Sequence, residues 1–466
     1  MTAIDPTASA IGTSVSRRAL IKGGLGTLGA FGLGGMLSAC GGSSLPSSGS
    51  TMSGGATTSA AGDAPGPVNA TPSGSIRLLY QGAAADVATY NTLFDKYKKK
   101  YPGVTLEAIA DPSTTWADFF TNVQVKLAGG QKFDLIYLPT EGQRLFASKG
   151  LIQPIDPWIK RDQTEIDGFK ADADPTLVSD AAKLSSPDSN IYYLPYVFNT
   201  MCIWYRKSLL KAAGATTPSP TWTWDDFHKT AKALSKPGQY GFSANAQDFS
   251  GIEPWLLTNG ASVLSPDWKT CTINSPAAIE SVTFTAKLVA DGISPKPGGA
   301  YDEVAAFAKG QVAMIGNGRW AIADARSSKV VDDIGIVPWP TKTKQGSPVG
   351  WGSIGMLKSG ANKDTAWSFV KFLLTKDIQD FIAQTGFSSA VPARKSSATG
   401  SSIKLDSPEG TPYLYEALKY STPVPGTAKS NLIEQAIANS YAQILGGTLS
   451  PTAGILQLEA AIKPAL

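Results

Sequence analysis

Two hydrophobic spacings alternate along the first third of the body of this chain. Residues 76–80 form a short apolar run of strand length that stops at Gln81-Gly82. In 86–101, Val87, Tyr90, Leu93, Phe94 and Tyr97 recur at helical spacing. Lysines gather in the last turn, where the helix dipole favours them. Pro102-Gly103 ends that helix, and residues 104–109 predict a second strand. Trp116, Phe119, Phe120, Val123 and Leu127 predict a second amphipathic helix, closed by Gly129-Gly130. Residues 133–138 are then almost continuously apolar, as expected of a parallel strand buried on both faces. This alternation predicts an α/β fold with a parallel layer.

The pattern continues less regularly. A strand is expected over 201–205 and a short helix over 209–213, closed by Gly214. Thr223 and Asp226 have the spacing of a capping box and open a further helix. In 307–325 a helix end stops at Lys309-Gly310, and an apolar run over 312–315 predicts a strand. Gly316 and Gly318 flank Asn317, so a turn is expected there, with Arg319 and Trp320 just beyond it. Ligands of open α/β sheets lie past the carboxyl ends of strands, which makes Trp320 a candidate pocket wall; a helix-capping core residue is the competing possibility.

The N-terminal segment departs from this pattern. Ser16-Arg17-Arg18-Ala19-Leu20 is a twin-arginine export pattern, 23–39 is apolar and rich in Gly and Ala, and Leu37-Ser38-Ala39-Cys40 has the form of a lipobox. Residues 1–40 are therefore expected to be a signal peptide ending at Cys40, the lipidated residue that anchors the mature protein to a membrane. The apolar stretch is short and glycine-rich for a retained transmembrane span of about 20 residues. Residues 41–74 carry Gly, Ser, Thr, Ala and Pro with almost no large apolar residue, as in a disordered tether.

Composition adds little to this. The 41 basic and 37 acidic residues give a net charge of +4, without a basic run suited to nucleic acid. Besides Cys40 there are Cys202 and Cys271, in a compartment that permits a disulfide; whether they pair is open. The single histidine, His228, follows the capping box and has no nucleophile elbow near it. No zinc, phosphate-loop or dinucleotide motif occurs, so no cofactor or metal is expected. A carboxylate pair for glycoside hydrolysis stays open, because two distant acids can meet in a fold.

An ordered series of segments resembles a known family: D-L-I-Y-L (134–138), K-G-L-I-Q-P-I (149–155), Y-Y-L-P (192–195), W-Y-R-K-S-L-L-K-A-A-G (204–214), W-L-L-T-N-G-A (255–261), F-A-K-G-Q-V-A-M-I-G-N-G-R-W (307–320) and G-F-S-S-A-V-P-A-R (386–394). Together they resemble the maltose-binding-like extracellular solute-binding proteins of sugar ABC importers, over about 75–400. Phe133-Asp134 stands where many members have Pro-Asp, and Tyr205-Arg206-Lys207 where many have Tyr-Asn-Lys. The resemblance implies a two-lobe periplasmic-binding-protein-like fold with hinge crossovers. Lobe 1 would comprise 75–196 plus 350–388, and lobe 2 would comprise 197–349 plus 389–466. A cleft between them would take a mono- or oligosaccharide for delivery to a permease. The protein is then expected to be a monomer and not an enzyme.

A sugar presents an apolar C–H face and a rim of hydroxyls, which suit aromatic rings and carboxylate, amide or guanidinium groups respectively. The resemblance places Trp255 and Trp320 at stacking positions, Glu253 beside Trp255, and Glu141 and Asn199 at polar contacts. Helix-dipole stabilisation explains Glu141 equally well. Gln81 at the end of the first strand, Asn317 and Arg319 around the glycine turn, and Trp351 between two glycines complete the candidate set. Arg394 is a weaker candidate, better suited to the surface. Three alternatives remain: the same fold holding a polyamine, a polyol phosphate or an iron complex (Tyr192-Tyr193 being slight support for iron); an exported polysaccharide-acting enzyme; and an adhesin or scaffold.

Overall fold

The structure, a computed structural model, describes residues 64–466 apart from 69, 83–86, 114, 299–301 and 406. The expected signal peptide, Cys40 and the tether up to residue 63 lie outside the described residues. The described end of the tether is not free. Gly66 N donates to Asp364 Oδ2 at 2.8 Å, and Ser73 and Thr365 bond each other through backbone and hydroxyl. The tether was expected to run through residue 74; Gly66 and Ser73 bond to the body, and the first strand begins at Gly74.

The strands are β1 (Gly74–Gln81), β2 (Val104–Asp111), β3 (Leu135–Pro139), β4 (Val197–Thr200), β5 (Cys202–Arg206), β6 (Tyr240–Ser243), β7 (Val312–Asn317), β8 (Ile334–Pro338), β9 (Ser347–Met356), β10 (Val391–Pro392) and β11 (Ser421–Pro423). They form two sheets. The larger has the order β10-β4-β9-β3-β1-β2, with β11 beside β9; the smaller has the order β6-β7-β5-β8. β1 lies parallel to both β2 and β3, and the helices Val87–Lys100 and Trp116–Ala128 connect them as the periodicity predicts.

The chain passes from the large sheet to the small one between β4 and β5, with only Met201 between them, and returns between Pro338 and Ser347. Both passages are joined at one residue: Met201 N donates to Ser347 Oγ at 2.8 Å, and the same hydroxyl reaches Met201 O at 3.2 Å. β4 and β10 pair antiparallel within the large sheet, although their residues were expected in the second lobe. The backbone reason is that β9 has two edges: β3 pairs one of them over Gly352–Met356, and β4 pairs the other over Val349–Gly352.

Local signals hold where they are chemical. The helix Trp224–Leu234 opens on a complete capping box, with Asp226 N donating to Thr223 Oγ1 and Thr223 N to Asp226 Oδ2. The glycine turn does not hold: β7 runs through Asn317, and Gly318 has φ of −89°. Gly316 and Gly318 are needed for closeness instead. A Cβ at 316 would strike the Trp339 ring, and one at 318 the Trp320 ring. Cys202 and Cys271 are both free thiols.

Candidate functional site

The carboxyl ends of β1, β3 and β7 lead into one groove. Its inner part is a cavity of about 250 Å³ walled by Trp116, Tyr137, Phe249 and Trp320, with Glu141, Asn199 and Trp351 also on the lining. An adjoining cavity of about 420 Å³ shares Trp116, Tyr137 and Ser389 and adds Tyr80, Gln81, Tyr90 and Phe387. No lysine, arginine or histidine lines either part among the described residues.

Each wall has a local cause. Trp320 lies in the short 3₁₀ turn Arg319–Ala321 that follows β7. It packs over the missing side chain of Gly318 and meets Phe249 at 6.0 Å between ring centres. Tyr137 is the half-buried member of β3, and its ring lies against Gly352 of β9, where a Cβ would come within 2.5 Å of the phenol oxygen. Trp116 opens its helix and stacks near Phe120 and Tyr137. These rings present faces and edges to an open volume, which suits the apolar side of a sugar.

Glu141 lies in the first turn of the helix Thr140–Ser148, directly after β3, and is 8% exposed. The helix dipole favours its charge, but burial dominates and, with Asp248 nearby, raises its pKa to about 8. Asn199 is on the lining, yet its amide is already engaged: Oδ1 accepts from Arg319 N at 2.9 Å and Nδ2 donates to Ser389 O at 3.2 Å. It ties the inter-sheet crossing to the turn before Trp320. Trp351 forms the floor. Its indole Nε1 donates to Gln143 Oε1 at 2.9 Å, and its backbone N donates to Thr140 Oγ1 at 2.7 Å. Gln81 reaches only the outer cavity.

Four expected contacts require correction. Trp255 is 1% exposed and sits among Trp224, Phe227, Phe242, Phe284 and Trp339, with the Trp339 ring centre 5.1 Å away. It is a core residue of the small-sheet side, and the wall opposite Trp116 is formed by Phe249 and Trp320. Glu253 is buried off the lining, and burial together with Asp248 raises its pKa to about 8. Asn317 is fully buried on β7 and is not on the lining. Arg319 is buried and donates to the carbonyls of Ile382, Ala383 and Ala390, so it caps the end of the helix Lys376–Thr385. Its burial and the Arg326 charge lower its pKa to about 9. Arg394 likewise serves structure, reaching Leu374 O and pairing with Asp172.

Sequence periodicity placed Trp116, Tyr90 and Tyr137 in the core, and nothing singled out Phe249. The available signal was position: an aromatic residue at the first helical position after a strand, or just beyond a strand end, is where an α/β pocket forms. His228 is 3.7 Å from Asp291 and away from the groove. Among the described residues no cluster of His, Cys, Asp and Glu has metal-binding geometry.

Two sheets joined by paired crossings, with an aromatic groove at the strand ends beside them, define a two-lobe solute-binding fold. Solved structures share it: the GacH receptor of Streptomyces glaucescens, determined unliganded and with acarbose, matches with a TM-score of 0.72 at 23% identity, covering 84% of this chain and 98% of that one. Maltose-bound MalE3 of T. maritima matches with a TM-score of 0.72 at 20% identity, covering 84% of this chain and all of that one. The profile of the bacterial extracellular solute-binding protein family matches residues 82–380, and the chain belongs to that family. A maltotriose-binding protein of Pyrococcus abyssi is 21% identical over 389 residues, 80% of this chain and 78% of that protein. The family is one of extracytoplasmic binding proteins.

Proposed function

We propose that this protein is the membrane-tethered receptor of a sugar-importing ABC transporter. It would bind a mono- or oligosaccharide in the groove, close around it and hand it to the permease, acting as a monomer without cofactor and without turnover. The observation that carries the reading is the aromatic groove at the strand ends, next to both inter-sheet crossings, where Trp320 and Phe249 offer ring surface and Glu141 a buried carboxyl. Closure would be a population shift driven by contacts that only the closed state makes. Lipidation at Cys40 would hold the receptor at the membrane, and ATP hydrolysis would belong to partner subunits.

The lining also weighs against some alternatives. A phosphorylated polyol calls for cations, and none lines the groove among the described residues. The tyrosines that raised the iron possibility are engaged elsewhere, Tyr193 with Gln143 O and Tyr192 with Asp188. A thermal-shift screen of the purified protein against oligosaccharides, polyols and polyamines tests the reading. A bound ligand at a hundred times its Kd adds about 2.7 kcal/mol of stability. A sugar that raises the melting temperature is expected; a response to polyamine and to no sugar would overturn the proposal.

A further inference from the structure

Four carboxyl groups from distant parts of the chain act on one another electrostatically, and one of them, Glu141, lines the inner cavity. Glu141 comes from the helix after β3 and Asp248 from the turn Asp248–Ile252. Glu253 opens the helix Glu253–Thr258, and Glu434 lies on the helix Ser430–Gly446. That last helix packs against both the Glu141 helix and the Asp248 turn, and Ser430 Oγ donates to Glu141 O at 2.5 Å. Asp248 acts electrostatically on each of the other three, and Glu141 acts on Glu434 and on Tyr137.

The cluster lacks the cation that several other buried or half-buried acids have. Asp162 is paired with Arg161 and Lys371, Asp111 with Lys126, Asp172 with Arg394 and Asp333 with Arg206. No lysine, arginine or histidine is paired with Glu141, Asp248, Glu253 or Glu434 among the described residues, and one carboxylate oxygen of Glu434 is buried without any partner. Glu141 is more than nine-tenths buried and lies on the cavity wall, and no other residue among those described donates a hydrogen bond to its carboxylate. Buried carboxyls left unpaired must hold protons or acquire a cation. Burial raises the pKa of all four, and the Asp248 charge adds to this for Glu141, Glu253 and Glu434; Glu141 and Glu253, at about 8, hold protons at neutral pH when no ligand is bound. Of the four, Glu141 is the one that lines the aromatic cavity.

We infer that the ligand is a saccharide bearing a protonated amine, its ring against Trp320 and Phe249 and its ammonium group against Glu141, with Asp248 and Glu434 behind. This rests on the sugar reading above and specifies it. An ammonium group supplies the missing counter-charge and up to three donors to the Glu141 carboxylate, to which no other described residue donates. A bare polyamine could also lie against the rings, but it carries several charges, and Glu141 is the one carboxyl on the groove lining among the described residues.

The test uses the purified protein and pairs of saccharides that differ only in the amine: glucose against glucosamine, as monosaccharides and as α-1,4 and β-1,4 disaccharides, each with its N-acetylated form, plus spermidine. Titration calorimetry in buffers of differing ionisation enthalpy reads affinity and proton release together. The expected result is an amine form bound about tenfold or more tighter than its neutral and N-acetylated partners, with protons released on binding. E434Q and E141Q should each bring the amine-to-neutral ratio towards one, while the unliganded melting temperature holds or rises. Neutral forms bound as well as the amine, or no change in the ratio with either variant, would overturn this inference and leave the sugar reading standing. Binding of spermidine and no saccharide would overturn both.

Discussion

The backbone amide of Arg319 donates to the side-chain oxygen of Asn199 at 2.9 Å, across 120 residues of sequence. Asn199 is on β4, one residue before the end of the strand that leaves the large sheet, and Arg319 precedes the ring that walls the groove. The position of Trp320 is therefore coupled to the crossing about which the lobes would move. In Asn199→Ala that amide loses its acceptor, and Ser389 O loses its donor. A loss of about 1–3 kcal/mol in stability is expected, together with weaker sugar binding. Denaturant unfolding and calorimetry check both. Unchanged affinity would show that the link does not position Trp320.

Trp320 and Trp255 should separate cleanly. Trp320 is half-buried at the groove and Trp255 is enclosed by five aromatic rings. Trp320→Ala should lower sugar affinity strongly and stability little. Trp255→Ala should cost about 3–5 kcal/mol of stability through the cavity it opens. Melting curves with and without ligand distinguish the two, and a collapse of the Trp320 variant with affinity retained would make that ring a core residue.

Gly352 lets the Tyr137 ring lie flat against β9. An added methyl would meet the phenol oxygen at 2.5 Å and Val197 at 2.9 Å. Gly352→Ala should cost about 1–3 kcal/mol and displace the tyrosine wall, read as a lower melting temperature and weaker binding. An unaltered melting temperature would show that the ring moves aside freely.

Stability should depend on pH in two windows. Glu141 and Glu253 have folded-state pKa values of about 8 against an ordinary 4.5. The folded state thus binds more protons than the unfolded state between those values, and stability falls as pH rises through that range. Asp162 behaves in the opposite way. Burial pushes it up, but Arg161, Lys371 and Trp367 outweigh that and hold it at about 2, so its contribution is lost as pH falls below the ordinary 3.8 towards 2. A melting-temperature profile from pH 3 to 9 should therefore peak on the acid side of neutrality. E434Q, which removes one of the repelling groups, should flatten the alkaline limb. A profile rising from pH 5 to 8 would contradict the protonated cluster.

Cys40→Ala should move the protein from the membrane fraction to the soluble extracytoplasmic fraction without altering sugar affinity. Continued membrane retention of that variant would point to an uncleaved span in place of a lipid anchor.

Local chemistry was legible in the sequence. The strand–helix alternation of 76–138 follows from periods of 2 and 3.6, and the Thr223–Asp226 cap from two hydrogen bonds three residues apart; both are decided within a few residues. The ordered series of segments carried the family for the same reason, since order along a chain is a sequence property. Burial was not legible, because it depends on what arrives from elsewhere. Trp255 and Trp320 each stand beside polar residues near a strand or helix end, yet only one meets Trp339 and Phe227. Asn199 and Arg319 had the right chemistry for a ligand, and tertiary packing used it on backbone carbonyls and amides instead. The acid cluster lay furthest from view. Residues 141, 248 and 434 share no local pattern, and their lack of a paired lysine or arginine among the described residues arises only once the fold has gathered them.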